Sequence, residues 1–139
     1  MSQYSQEMKT EEKHSMISEL IALSKVDGHV SEQEIGFIQQ IGNMMGLSDQ
    51  DILALFEKPA EFNPPDAHFD RIVQFQQLVL LMNVDQDVDE NELKHIQFMG
   101  LKLGLNPNAV KEVLQRMTEF PNNMIPPDEL LKIYGKYMN

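Results

Sequence analysis

Residues 21–58 read IALSKVDGHVSEQEIGFIQQIGNMMGLSDQDILALFEK, and residues 79–116 read VLLMNVDQDVDENELKHIQFMGLKLGLNPNAVKEVLQR. Set 58 positions apart, the two stretches align without a gap. Identical pairs include Val26/Val84, Asp27/Asp85, Val30/Val88, Glu32/Glu90, Glu34/Glu92, Ile38/Ile96, Gln39/Gln97, Gly42/Gly100, Gly46/Gly104 and Leu47/Leu105. Many other pairs exchange one apolar residue for another. Self-similarity at a fixed spacing is the mark of a duplicated supersecondary unit, so the chain is read as two copies of one motif.

Each copy reads as three helices. The first runs from about Glu7 to Lys25, and its counterpart from about Pro65 to Asn83. Phe69, Ile72, Val73, Leu78, Val79 and Leu81 give the second of these a broad apolar surface, which predicts the most buried helix of the protein. The next helix has a written start in both copies. Ser31 is a good N-cap with Glu34 three residues on, and Asp89 with Glu92 repeats the pattern, a capping box in each case. Val30 with Ile35, and Val88 with Leu93, suit the accompanying hydrophobic staple. Ile35, Ile38, Ile41 and Met45, then Leu93, Ile96, Met99 and Leu103, recur at helical spacing and not at strand spacing. Gly46 and Gly104 suit a left-handed stop. Gly42 and Gly100, which a helix interior disfavours by about 1 kcal/mol against Ala, mark close approach of another helix. Third helices start at Ser48 and at Asn106, with Pro107 tolerated in the first turn.

Two proline-containing loops follow the copies, at Lys58–Pro65 and Phe120–Pro127, and a last helix spans about 127–137. No stretch alternates as a strand would. The expectation is an all-α single domain over 1–139. It has about seven helices, repeats at about 7–58 and 65–117, and one fused, bundle-like core. An apolar patch beside the proline loops would mark a partner or dimer face. Phe75-Gln76-Gln77 and Glu11-Glu12 are assigned to solvated faces. Of the methionines, Met44, Met45, Met117 and Met124 are the ones placed for exposure, although methionine at helical spacing is usually core.

Composition excludes several classes of function. The 22 Asp and Glu against 11 Lys and Arg give a net charge of −11. Phosphate backbones and anionic membranes repel such a chain, so no nucleic-acid partner is expected. Without cysteine there is no disulfide, thiolate metal site or thiol nucleophile. The opening MSQYSQEMKTEEKH lacks the basic and apolar regions of a signal peptide. The longest apolar run, Leu78 to Met82, falls far short of the roughly 20 residues that span a bilayer. A soluble, cytoplasmic protein is the expectation, with no direct membrane insertion. No GxSxG, P-loop, GxGxxG or HExxH occurs, and no residue set for a metal-dependent hydrolase stands out. The chain is therefore read as not an enzyme.

The acidic loops, Asp27-Gly28-His29-Val30-Ser31-Glu32-Gln33-Glu34 and Asp85-Gln86-Asp87-Val88-Asp89-Glu90-Asn91-Glu92, offer the one constellation with chemistry. Each places a Glu seven residues after an Asp, like the back half of an EF-hand loop. The front half is absent, with Leu23 and Lys25, and Leu81 and Asn83, at the first ligand positions. Two readings stay open. In one, the two loops share a hard-cation site, with calcium or magnesium favoured over zinc because the histidines His14, His29, His68 and His95 are scattered. In the other, the carboxylates only cap helices, where the positive end of the helix dipole also disfavours a cation.

At these motifs the sequence resembles the TerB-like family, after the tellurite-resistance protein TerB. The resemblance rests on Ala22, Asp27, Gly28, Val30, Ser31, Glu34 and Gly46-Leu47-Ser48. The second copy repeats it with Asp85, Val88, Glu90, Glu92, Gly104 and Leu105, and departs from it at Gln86. The resemblance implies an all-helical duplicated fold and a role in stress responses such as tellurite tolerance, as a scaffold or sensor. It also implies a divalent metal ion at Asp27, Glu34, Asp85 and Glu92. The expected function is a TerB-like helical binding module that meets a protein partner, with a homodimer also open. The alternative is a metal-independent acidic interaction scaffold.

Overall fold

A computed structural model describes residues 8–26, 28–84 and 88–137. Among them there are seven α-helices and no strand. The helices are α1 (Thr10–Ser24), α2 (Glu32–Met44), α3 (Asp49–Glu57), α4 (His68–Met82), α5 (Glu90–Lys102), α6 (Pro107–Arg116) and α7 (Pro127–Lys136). Two 3-10 turns, Met117–Glu119 and Pro121–Asn123, lead from α6 towards α7. The starts of α1, α2 and α3 lie 58 residues before those of α4, α5 and α6. The duplication thus extends to helices whose sequences have diverged.

Local chemistry sets the helix ends. Asp51 N–H donates to Ser48 Oγ at 3.1 Å, and Asn108 N–H to Asn106 Oδ1 at 2.8 Å, so both third helices are capped by side chains. Gly46 and Gly104 have φ of +89° and +77°. Leu47 N–H then reaches back to the Gly42 carbonyl at 2.9 Å, and Leu105 N–H to that of Gly100 at 3.1 Å, which completes a Schellman stop in each copy.

Four expectations need correction at this level. Glu7 lies outside the described residues, and α1 starts at Thr10 with Glu12 Oε1 accepting the Lys9 N–H at 2.8 Å. That bond also buries Glu12, which had been placed on a solvated face. The fourth helix starts at His68 and not at Pro65. The Arg71 guanidinium donates through Nε to the Pro65 carbonyl at 2.6 Å, so that carbonyl serves a side chain instead of opening a helical ladder. Nor is α4 more buried than α1, which packs against α2, α3, α4 and α5 and is enclosed on nearly every side.

One core joins both copies. Met16, Ile17, Leu20, Ile38 and Ile52 from the first meet Phe75, Leu78, Ile96, Leu103 and Val113 from the second in a single buried cluster. Gly42 and Gly100 let it close. A Cβ added to Gly42 would sit 2.5 Å from Ile52 Cδ1, and one on Gly100 would sit 2.8 Å from Val110 Cγ2. The contacts are nearly symmetric under exchange of the halves: α1 meets α2 as α4 meets α5, and α1 meets α5 as α4 meets α2. Symmetry fails at the end of the chain. α3 packs on α1, whereas α6 packs on α7.

Candidate functional site

Both acidic loops lead into capped helices. Ser31 Oγ accepts the Glu34 N–H at 3.1 Å, and Glu34 Oε1 accepts the Ser31 N–H at 3.0 Å. In the second copy Asp89 Oδ1 accepts from Glu92 N–H at 2.8 Å, and Glu92 Oε1 accepts from Asp89 N–H at 3.3 Å. Glu34 and Glu92 are buried beneath their loops, while Glu32 and Glu90 on the same first turns are exposed. Gly28 supplies the left-handed turn of the first loop, at φ +98°. Of the four residues assigned to a metal, Glu34 and Glu92 each have one carboxylate oxygen engaged in a helix cap. Asp27 and Asp85 lie outside the described residues, as do Gln86 and Asp87. Among the described residues no three His, Cys, Asp or Glu come together so as to hold a metal ion.

A second feature lies beside the later proline loop, where the sequence reading looked for a partner face. Helices α4 and α7, with the segment between α6 and α7, enclose an apolar groove of about 270 Å³. Phe69, Met124 and Leu131, each about half exposed, open it to solvent, and Val73, Ile125 and Leu130 line it more deeply. Gln76 and Gln77 belong to its wall. This corrects the assignment of Phe75-Gln76-Gln77 to a solvated face. Phe75 and Gln77 are buried and Gln76 is half-buried, because α4 is held between α1, α2 and α5. The methionines divide: Met44 and Met124 are exposed, Met45 and Met117 are core. The sequence reading named an apolar patch beside a proline loop but not the residues that line it, and it took Phe69 only as part of the apolar surface of α4.

A third cluster ties the halves together. Lys102 Nζ lies 3.5 Å from Glu19 Oε1 and 4.1 Å from the centre of the Phe62 ring, with Phe98 at 5.9 Å. Burial pushes the Glu19 carboxyl above its ordinary range, and Lys102 offsets part of that rise. Burial also lowers His95, and Lys102 lowers it further. At the far end, Glu112 accepts from Lys136 Nζ at 2.7 Å and from the Tyr137 hydroxyl at 2.7 Å, which fastens α7 to α6. These hydrogen bonds hold the Glu112 carboxyl below the usual carboxylate range.

No helix of the described residues is long and apolar enough to cross a membrane. Residues 1–55 match the model of the family described as tellurite resistance protein TerB. The match covers the first copy as far as α3, the copy that carries Gly28 and Ser31 where the second has Gln86 and Asp89. No curated protein and no solved structure matches the chain. Over residues 1–55, then, the chain is similar to the TerB family.

Proposed function

We propose that the chain is a non-enzymatic TerB-like binding module of a stress response of the tellurite-resistance type. On this reading it works in the cytoplasm through contact with another protein. The observation that carries the reading is the open apolar groove between α4 and α7, flanked by half-exposed Phe69, Met124 and Leu131 on an otherwise highly charged molecule. Exposed apolar surface rimmed by polar residues is what a protein-binding face offers. The net charge of −11 favours a basic protein partner and opposes nucleic acid. A second copy of the chain is the other protein that could cover the groove.

Two versions of this module differ in the acidic loops. In one, a divalent cation, calcium or magnesium before zinc, is held by Asp27, Glu34, Asp85 and Glu92 and fixes how the copies pack. In the other, the loops are helix starts and the scaffold needs no metal. The capping geometry favours the second, since Glu34 and Glu92 already bind their own N-cap amides. The test is calorimetric titration of chelator-treated protein with calcium, magnesium, manganese and zinc, beside an Asp27→Asn/Asp85→Asn variant. The scaffold version expects no saturable heat with any of the four ions. Saturable binding that the double variant loses would establish the cation version in its place.

A further inference from the structure

The duplication gives a way to read the groove, because the corresponding face of the first copy is covered. On α1 that face carries Ser15 and Ser18, and the linker between the copies lies across it. Ala60 N–H donates to Ser18 Oγ at 2.9 Å and Asn63 N–H to Ser15 Oγ at 2.8 Å. The linker forms neither helix nor strand here, and Ala60 and Phe62 pack against the core. The chain therefore holds an example of what this face of the motif accepts: a non-helical peptide whose backbone N–H groups bond to the helix and whose aromatic side chain adds apolar contact.

On α4, 58 residues on, Val73 and Gln76 stand where α1 has Ser15 and Ser18. The segment after α6 does not repeat the linker's path. It turns through Asn122 and Asn123, both left-handed at φ +58° and +55°, and Asn123 Nδ2 donates to Asn83 Oδ1 at 3.1 Å. This draws the segment towards the C-terminal end of α4, while α6 packs on α7. The face of α4 is left as the groove. Gln76 Oε1 is buried there and accepts no hydrogen bond among the described residues. At the position where Ser18 takes a backbone N–H, the second copy thus has a desolvated acceptor without a donor. A buried acceptor in that state favours any ligand that brings the missing N–H.

We propose that the α4–α7 groove docks a non-helical peptide segment of a partner protein. The peptide would place a backbone N–H on Gln76 Oε1 and an aromatic or large aliphatic side chain among Phe69, Val73, Met124 and Leu131. Its flanks would be basic, since Asp128 is exposed next to groove-lining Pro127 and the whole molecule carries −11. The inference rests on the protein-binding reading above and specifies the form of the partner.

The probe is a fluorescein-labelled synthetic peptide with the sequence of residues 58–65, KPAEFNPP, extended by two lysines at each end. A second probe has the same sequence N-methylated at the alanine. A third is a lysine-rich amphipathic helical peptide of leucine and lysine. Anisotropy titrations use the full chain, Gln76→Leu and Leu131→Glu, with folding of each variant checked by circular dichroism. The first probe should bind the wild-type chain and lose at least about tenfold on Leu131→Glu, where a charge faces the apolar wall. N-methylation should weaken binding about tenfold on the wild-type chain, the loss of one hydrogen bond to a buried acceptor, and should make no difference on Gln76→Leu. An N-methyl effect that persists on Gln76→Leu, or binding indifferent to Leu131→Glu, overturns the proposal. If only the helical peptide binds and Leu131→Glu abolishes it, the non-helical-peptide inference falls and the protein-binding face stands. If neither peptide binds, both fall.

Discussion

Gln74 shows how the duplication separates residues kept for packing from residues that work against it. It is almost fully buried on α4, and neither its amide nitrogen nor its amide oxygen has a hydrogen-bond partner among the described residues. The corresponding position of the first copy is Met16, which is wholly buried and apolar. An unsatisfied buried amide costs about 1–3 kcal/mol, and methionine fills much the same volume with a flexible apolar chain. Gln74→Met should therefore stabilise the protein by about 1–2 kcal/mol, read as a raised urea midpoint with unchanged slope. A lowered midpoint would mean that the Gln74 amide is hydrogen-bonded in solution. The two mid-helix glycines were legible in the sequence because only close approach explains glycine twice at one repeat position. The fate of Gln74 was not. A polar residue inside an apolar pattern reads as surface, and only the packing of α4 between three other helices reverses that.

The elements best read in advance were those whose ends are written locally. The capping boxes of α2 and α5, the Schellman stops after them and the side-chain caps of α3 and α6 all depend on residues within a few positions of one another. The start of α4 depends on Arg71 reaching the Pro65 carbonyl, and the groove depends on where α7 settles. Neither is a local property. The candidate metal site divides in the same way. Its glutamates could be identified as cap residues from spacing alone, whereas a shared ion needs a tertiary arrangement. The contact between α1 and α5 is likewise tertiary, and Lys102 is its charged centre. Raised above its ordinary value by burial, Glu19 binds a proton more readily in the folded protein than in the unfolded one. Its contribution is present below pH 4.5 and is lost as pH rises through the folded value. His95, lowered by burial, contributes stability above pH 6.5 that is lost as pH falls through its folded value. Lys102 pulls both values down, so Lys102→Met should move both upwards. The Glu19 burden on stability near neutral pH then grows and the His95 loss in acid shrinks. Carboxyl and imidazole shifts followed by NMR titration check this, and a fall in either value would contradict it.

At the scale of the whole molecule, charge of one sign dominates. The ion pairs of the described residues cluster on α5 to α7, around Lys102, Arg116, Lys132 and Lys136. α2 and α3 carry acidic first turns and no basic residue in their last turns. Self-repulsion of a net −11 opposes compaction and is screened once the Debye length falls to about 8 Å at physiological salt. The melting temperature should therefore rise by several degrees between about 10 mM and 150 mM sodium chloride. A salt-independent or falling melting temperature would show that the local pairs outweigh the net field.

The two serine hydroxyls that hold the linker against α1 also bear on which halves pair. In a duplicated chain, α1–α3 of one molecule and α4–α6 of another present the same surfaces as the two halves of a single molecule, so exchange between chains forms equivalent contacts. Nothing in the shared core distinguishes the two outcomes. The difference lies in the ten-residue path from Lys58 to Ala67, which must come away from α1 for the halves to part and which Ser15 and Ser18 hold against that helix. Those hydroxyls act as a lock on self-pairing, because they hold the hinge that an exchange of halves would have to release.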